Sequence, residues 1–328
     1  MENDESLVSR RQEFSRTRFR PSVDNKTHDG SARHWFSIWS FAKNITKRYM
    51  NHNQPIAVFE IDIHDLWYDV IKIAQITPAD AANADRIVAQ IIRIRELGVL
   101  ERNITTIHAA GDREDAVIKK ETAVTSSGAW IWIDLPFLVA DLRATWTESI
   151  YTMTAKELEN LAGFTARLAE CNVCGTQTAS CALILFRAAL ESPQRILRSD
   201  TPTREGFTAE TTLEELMPAV FIWLYWGSHC IWKLCSQQLL LADAERSAMD
   251  ENWAAVGELA SRGGVSQPGF TRTRMNFWKK RLLEIPGTVR ETNAVFADKC
   301  IWSASLLGQW DEIMGESCVE PSLTKEVN

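Results

Sequence analysis

Apolar residues in this chain recur at three- and four-residue spacing along most of its length, the period of a helix with one buried face. Phe59, Ile63, Leu66, Trp67, Val70 and Ala74 form the first such stripe after Pro55. Ile87, Ile91, Ile94 and Leu97 form the next, with Thr77-Pro78-Ala79-Asp80 as its start signal and Gly98 as its stop. Asp134 with Pro136 opens a helix carrying Leu135, Leu138, Val139, Leu142 and Trp146. Three more starts read as Ser/Thr-x-x-Glu capping boxes, in which cap oxygen and glutamate satisfy each other's end groups. They fall at Thr154 with Glu157, Thr212 with Glu215 and Thr288 with Glu291. Further helical patterns lie near residues 179–191, 228–243, 246–262 and 271–285. No stretch alternates convincingly with period two, no repeat recurs, and residues 108–128 read as a polar loop.

The expected fold is all-α, a single irregular bundle of about ten helices over residues 55–313. Ahead of it, residues 1–54 read as a largely disordered arm containing an amphipathic helix at 35–50, and residues 314–328 as a flexible tail.

Composition narrows the function classes. A length of 328 residues is enough to bury a sizeable core. A formal net charge of −7 argues against a nucleic-acid binder, which needs a concentrated basic surface to displace counterions. The acidic start Met1-Glu2-Asn3-Asp4-Glu5 does not read as a secretory signal. The longest apolar stretch, 216–235, is interrupted by Pro218, Gly227, His229 and Lys233, which suits a buried helix pair better than a transmembrane span. Seven scattered cysteines in a chain of this size point to a reducing compartment, hence to the cytoplasm. Thirteen tryptophans supply either core or the walls of a pocket for an apolar or cationic guest.

The helix at 271–285 carries the first candidate chemistry. Met275, Trp278, Leu282 and Ile285 form its apolar arc, and Lys280 points away. Lys279 falls inside the arc's edge beside Met275 and Leu283, where an ammonium must find an anion or snorkel to water. A bound phosphate or diphosphate is the sharper of these readings. On the helix from Thr154, Leu158, Leu161, Thr165 and Leu168 make one stripe, while Asn160, Gly163, Phe164 and Arg167 line the other side. Arg187 lies near Leu183, Phe186 and Leu190, with Glu191 one turn on. This set reads either as a buried network that fixes helix packing or as anion and metal ligation, with Asn160 and Glu191 as the metal ligands. Asp62, Asp65 and Asp69 lie opposite the Phe59/Ile63/Trp67 stripe and read as a solvated face. Cys171, Cys174 and Cys181 read as thiols on adjoining helices rather than a zinc site, and His229 as structural. The chain has no Gly-rich phosphate loop, no nucleophile elbow and no zinc-protease helix.

Several phrases occur together and in order: Ile133-Asp134-Leu135-Pro136, then Asn160-Leu161-Ala162-Gly163-Phe164-Thr165-Ala166-Arg167-Leu168, then Arg187-Ala188-Ala189-Leu190-Glu191. The aromatic segment 223–227 and Phe270-Thr271-Arg272-Thr273-Arg274-Met275-Asn276-Phe277-Trp278-Lys279 follow. From about residue 66 to 285 the chain resembles a fungal all-helical family catalogued as a domain of unknown function. One branch of that family consists of sesquiterpene cyclases that make humulene from farnesyl diphosphate, lack the usual aspartate-rich motif, and use magnesium with a lysine on the diphosphate. This chain likewise has no aspartate-rich run.

The resemblance implies a Mg²⁺-dependent cyclase of secondary metabolism. Lys279 takes the place of that lysine, and Met275 the place of an apolar residue facing the prenyl chain. Ionising the substrate needs two or more cations on the leaving group, for which Arg167, Arg187 and Mg²⁺ join Lys279. Trp223, Trp226, Phe277, Trp278 and Trp302 are the candidate walls of a dry cavity. The alternative is a non-catalytic helical interaction or regulatory protein in which the same polar residues only hold the packing.

Overall fold

The computed structural model describes residues 4–28, 35–110, 113–193, 211–237 and 254–316, and the all-α expectation holds. The chain packs as two compact units, residues 1–178 and 179–328.

The first unit runs through α1 (Asp4–Phe14), a π turn (Ser15–Phe19), α2 (Arg20–His28), α3 (Trp35–Asn51), α4 (Ile56–Ile76) and α5 (Ala82–Arg95). A two-stranded antiparallel hairpin, β1 (Glu101–Ala110) and β2 (Arg113–Thr122), precedes α6 (Leu138–Ser149) and α7 (Ala155–Glu170). α4 is the axis of this unit, packed against α2, α3, α6 and α7. Its expected stripe of Phe59, Ile63, Leu66, Trp67, Val70 and Ala74 is buried throughout. Burial of each large apolar side chain contributes on the order of 2 kcal/mol. The Trp67 indole N–H donates to the Pro136 carbonyl at 2.7 Å, so the Leu135-Pro136-Phe137 entry to α6 is tied to α4. The capping box at Thr154 and Glu157 forms as expected.

The second unit takes in most of α8 (Thr176–Phe186), a π turn (Arg187–Glu191), α9 (Leu213–Ser236), a short α10 (Glu258–Arg262), α11 (Arg272–Val289) and α12 (Ala294–Glu316). α11 and α12 form an antiparallel helical hairpin, and α12 runs parallel to α9. The pairs Asn293–Glu214, Phe296–Phe221, Trp302–Tyr225 and Trp310–Ser228 mark that parallel register.

Several expectations are corrected. The stretch 216–235 belongs to one helix, not a pair: the capping box at Thr212 and Glu215 starts it, and burial of Leu216, Val220, Trp223, Leu224 and Ile231 outweighs the propensity cost of Gly227. Thr288 starts no helix, because α11 continues through Pro286 to Val289, and Asn293 caps α12 by accepting from Phe296 N at 3.1 Å. Thr77 closes α4 instead of opening α5, its hydroxyl donating to the Ile73 carbonyl at 2.7 Å. The expected loop at 108–128 is largely hairpin. Polar residues line much of both strands, so no alternation marks them, and the buried anchor is Arg102, which donates to the carbonyls of His52 and Gln54 and pairs with Glu121 across the register. The helical pattern at 246–262 falls partly, and the tail beyond 316 wholly, outside the described residues.

The arm is the largest correction. Residues 4–28 are helical, and the acidic face of α4 expected to meet solvent is their socket. Asp62 and Asp65 are 0% exposed. Arg11 donates to Asp62 at 2.6 Å and to Asp65 at 2.7 Å, Arg48 to Asp62 at 2.7 Å and Arg20 to Asp65 at 3.2 Å, and Ser15 adds a hydroxyl to Asp65. Two buried carboxylates thus fold a segment that has almost no apolar stripe of its own.

Burial raises Asp62 above the usual carboxylate range, while Arg11 and Arg48 pull it back. A raised folded-state value favours the protonated form, so the group is least costly at acid pH, and its cost grows as pH rises through the folded value. Arg11→Ala should therefore cost about 3 kcal/mol at neutral pH. The loss should shrink as pH falls, measured by urea unfolding across a pH series. A pH-independent loss would mean that Arg11 acts through packing alone.

Candidate functional site

The second unit holds a buried ion pair that the sequence reading did not single out, formed by the expected residue Glu191 with Arg274 and joined by the expected residue Trp278. Glu191 and Arg274 are both 0% exposed. Glu191 Oε1 accepts from Arg274 Nε at 2.6 Å and from Trp278 Nε1 at 2.6 Å. Its Oε2 accepts from Arg274 Nη2 at 3.0 Å and from the Gly257 amide at 2.7 Å. The rest of the guanidinium donates to the carbonyls of Ala254, Gly269 and Ala255. All five arginine N–H groups are used, and each carboxylate oxygen receives two donors. Gly257 is required by close approach, since a Cβ there would stand 2.5 Å from Glu191 Cβ.

In the first unit, Asn160 is equally committed. Its Nδ2 donates to Gln75 O at 2.8 Å and its Oδ1 accepts from Ala79 N at 3.0 Å. Arg167 donates to Ala79 O at 2.6 Å, Gly163 O at 3.0 Å and Asp85 at 2.7 Å. A Cβ on Gly163 would meet Ala79 Cβ at 2.8 Å. The Asn160, Gly163, Arg167 face of α7 is thus a clamp on the link between α4 and α5.

These contacts decide the fit of magnesium. A ligand to Mg²⁺ must offer an oxygen lone pair to the ion. The Glu191 oxygens are filled by four donors, and Asn160 Oδ1 is held by a backbone amide. Neither fits as a magnesium ligand in this arrangement, so both assignments are corrected to packing roles, and Arg167 joins them. No cluster of three or more His, Cys, Asp or Glu suited to a metal occurs among the described residues.

Of the remaining expected residues, Met275, Trp223 and Trp278 are buried in the second unit, while Arg187, Trp226, Phe277 and Lys279 are half-buried. The Trp223 indole N–H is buried and has no acceptor among the described residues. Trp302 is 42% exposed and lies against Tyr225. Lys279 lies across α12 where Gly308 leaves room, since a Cβ on Gly308 would stand 2.6 Å from Nζ. Among the described residues Lys279 forms no ion pair.

A second constellation, in the first unit, was missed. His64 on α4 places Nδ1 at 3.0 and 2.9 Å from the two carboxylate oxygens of Asp141 on α6, and its ring stacks on Phe137 at 4.2 Å. Phe137 stands at φ 68 and Leu135 at φ 48, left-handed backbone that bulky residues rarely adopt. The dyad borders a cavity of about 320 Å³ between α4 and α6, walled by Tyr68, Lys72, Gln75 and Thr145, with Arg20 of α2 at its edge. A second cavity, beneath the arm, shares His64, Asp141 and Arg20. No spacing signal links His64 to Asp141. The available hint was the His in an acidic helical turn, Asp62-Ile63-His64-Asp65.

Against known proteins, the model of a family described as "Protein of unknown function (DUF3632)" matches residues 67–282. A relative from Penicillium oxalicum (strain 114-2 / CGMCC 5302), "Oxopyrrolidines biosynthesis cluster protein G", is 29% identical over 253 residues. The match covers 75% of this chain and 66% of the relative, just under two thirds of its length. No solved structure matches. No helix among the described residues is long and apolar enough to cross a membrane.

The packing role of Glu191 makes a measurable demand. Glu191→Gln strands a buried guanidinium and should cost about 3 kcal/mol or more, whereas Lys279→Gln should stay within about 0.5 kcal/mol of the parent. Urea unfolding of the two variants checks this. A Glu191→Gln protein as stable as the parent would reopen ligation at that position.

Proposed function

The chain belongs to the DUF3632 family, and from that premise we propose that it serves secondary metabolism as a cyclase of a prenyl diphosphate, farnesyl diphosphate with a humulene-type product being the first choice. The secondary-metabolic setting is supported by the relative whose name places it in a biosynthesis cluster. The family resemblance read from the sequence is borne out; the cyclase branch is this reading's own step.

One observation carries it. Lys279 is a half-buried ammonium with no carboxylate partner among the described residues, one helical turn from buried Met275 and beside buried Trp278. As an allylic carbon–oxygen bond breaks, negative charge gathers on the diphosphate, and a cation already partly stripped of water stabilises that charge more strongly than one in bulk solvent. Lys279 receives the diphosphate, and the apolar arc of α11 lies along the prenyl chain. No step is assigned to magnesium, because Asn160 and Glu191 do not fit it.

The rival is a non-catalytic helical protein. It is favoured by the saturation of Asn160, Arg167 and Glu191, which leaves three of the expected site residues with packing work.

Purified protein incubated with geranyl, farnesyl and geranylgeranyl diphosphates, with Mg²⁺ or with EDTA, and analysed by gas chromatography–mass spectrometry separates the two. A cyclic C15 hydrocarbon that falls about 100-fold or more in Lys279→Ala is the expected result. Folded protein that yields no hydrocarbon from any of the three leaves the non-catalytic reading.

A further inference from the structure

We propose that the α4/α6 cleft of the first unit is a proton-transfer site for a small organic anion, with His64 Nε2 as its base and Asp141 as the residue that positions it. This inference uses residues of the first unit alone and stands or falls separately from the cyclase reading.

The geometry is that of an oriented imidazole. Both carboxylate oxygens of Asp141 lie within 3.0 Å of His64 Nδ1, so Nδ1 carries the proton that is donated to Asp141. In the neutral ring Nε2 then keeps its lone pair, and it has no hydrogen-bond partner among the described residues. The ring is held from a second side by Phe137, whose left-handed backbone is stabilised by the Asp141 amide donating to the Phe137 carbonyl at 2.8 Å. Backbone strain of this kind costs on the order of 1–3 kcal/mol and persists where the surroundings over-determine it. Here the strained residue stacks on the imidazole.

The cavity supplies the rest of a proton-transfer site. Its volume of about 320 Å³ admits a small molecule. Lys72 and Arg20 bring two cations to its lining, both only partly spent: Lys72 on Asp24 at 3.3 Å, and Arg20 on Asp65 through Nε. Tyr68 does not compete as an acid, since its hydroxyl donates to Asp24, and burial together with that carboxylate pushes the phenol up. The acids of the lining are Asp141, which is occupied by His64, and exposed Glu148.

The step balances without a co-reactant. Nε2 takes a proton from a carbon acid next to a carbonyl or carboxylate, and the electron pair moves onto the oxygen held by Lys72 or Arg20. The imidazolium returns its proton to a different atom of the same molecule, so nothing is oxidised or reduced. The reaction class is isomerisation by proton transfer.

Full-length protein offers a direct test with a generic probe, 5-nitrobenzisoxazole. A base in a cavity removes its ring C–H proton, the N–O bond breaks, and a coloured cyanophenolate forms. The parent should turn the probe over, His64→Gln should lose about 100-fold, and Asp141→Asn should lower kcat with KM nearly unchanged. Succinate should compete in the parent and compete less well in Lys72→Gln. Equal rates in parent and His64→Gln, or indifference to succinate, would overturn the proposal. Should His64→Gln fail to fold, nitrogen-15 imidazole spectra of the parent decide: a saturable shift of His64 Nε2 with succinate is the expected result, and an unmoved resonance overturns the site.

Discussion

A charge removed from water must be met by partners on every side, and this one constraint organises both units. Glu191 and Arg274 are the clearest case. A carboxylate and a guanidinium at 0% exposure are tolerable because nine donor and acceptor positions are filled, five on the arginine and four on the glutamate. Backbone from 254–269, the π turn that carries Glu191 and the start of α11 must therefore converge at one point. The π turn itself has a role here, since the extra residue in that turn shifts the direction in which the last side chains project.

The same constraint explains the phrases that made the family recognisable. On one face of α7, Asn160 and Arg167 satisfy backbone groups at the link between α4 and α5, and Gly163 lets that link approach closely. In the N-terminal region, Asp62 and Asp65 draw Arg11, Arg20, Arg48 and Ser15 onto α4. Beside these committed groups, Lys279 in the second unit forms no ion pair and His64 Nε2 in the first no hydrogen bond among the described residues, and the two functional proposals rest on them.

The helices of the core were legible because their signal is local. Capping boxes at Thr154 and Thr212 involve residues three apart, and the α4 stripe repeats within a single helix. Thr288 shows how such a signal fails: Thr and Glu had the right spacing, but apolar burial of Ile285, Pro286 and Val289 carried α11 through the position. The hairpin failed for the opposite reason. Its strands carry few apolar residues, and the side chain that anchors it is an arginine, so no period-two pattern was present to read.

By itself, then, the sequence determined what neighbours along the chain can decide: the helical class, the helix starts at Thr154 and Thr212, the buried stripes and the family. Tertiary structure alone decided which polar residues are structural and which remain available. A glutamate in an apolar helix looks the same whether it faces a metal or an arginine 83 residues away, and His64 and Asp141 are 77 residues apart. Pair energies of that kind depend on distance and desolvation in space, and periodicity along the chain carries neither.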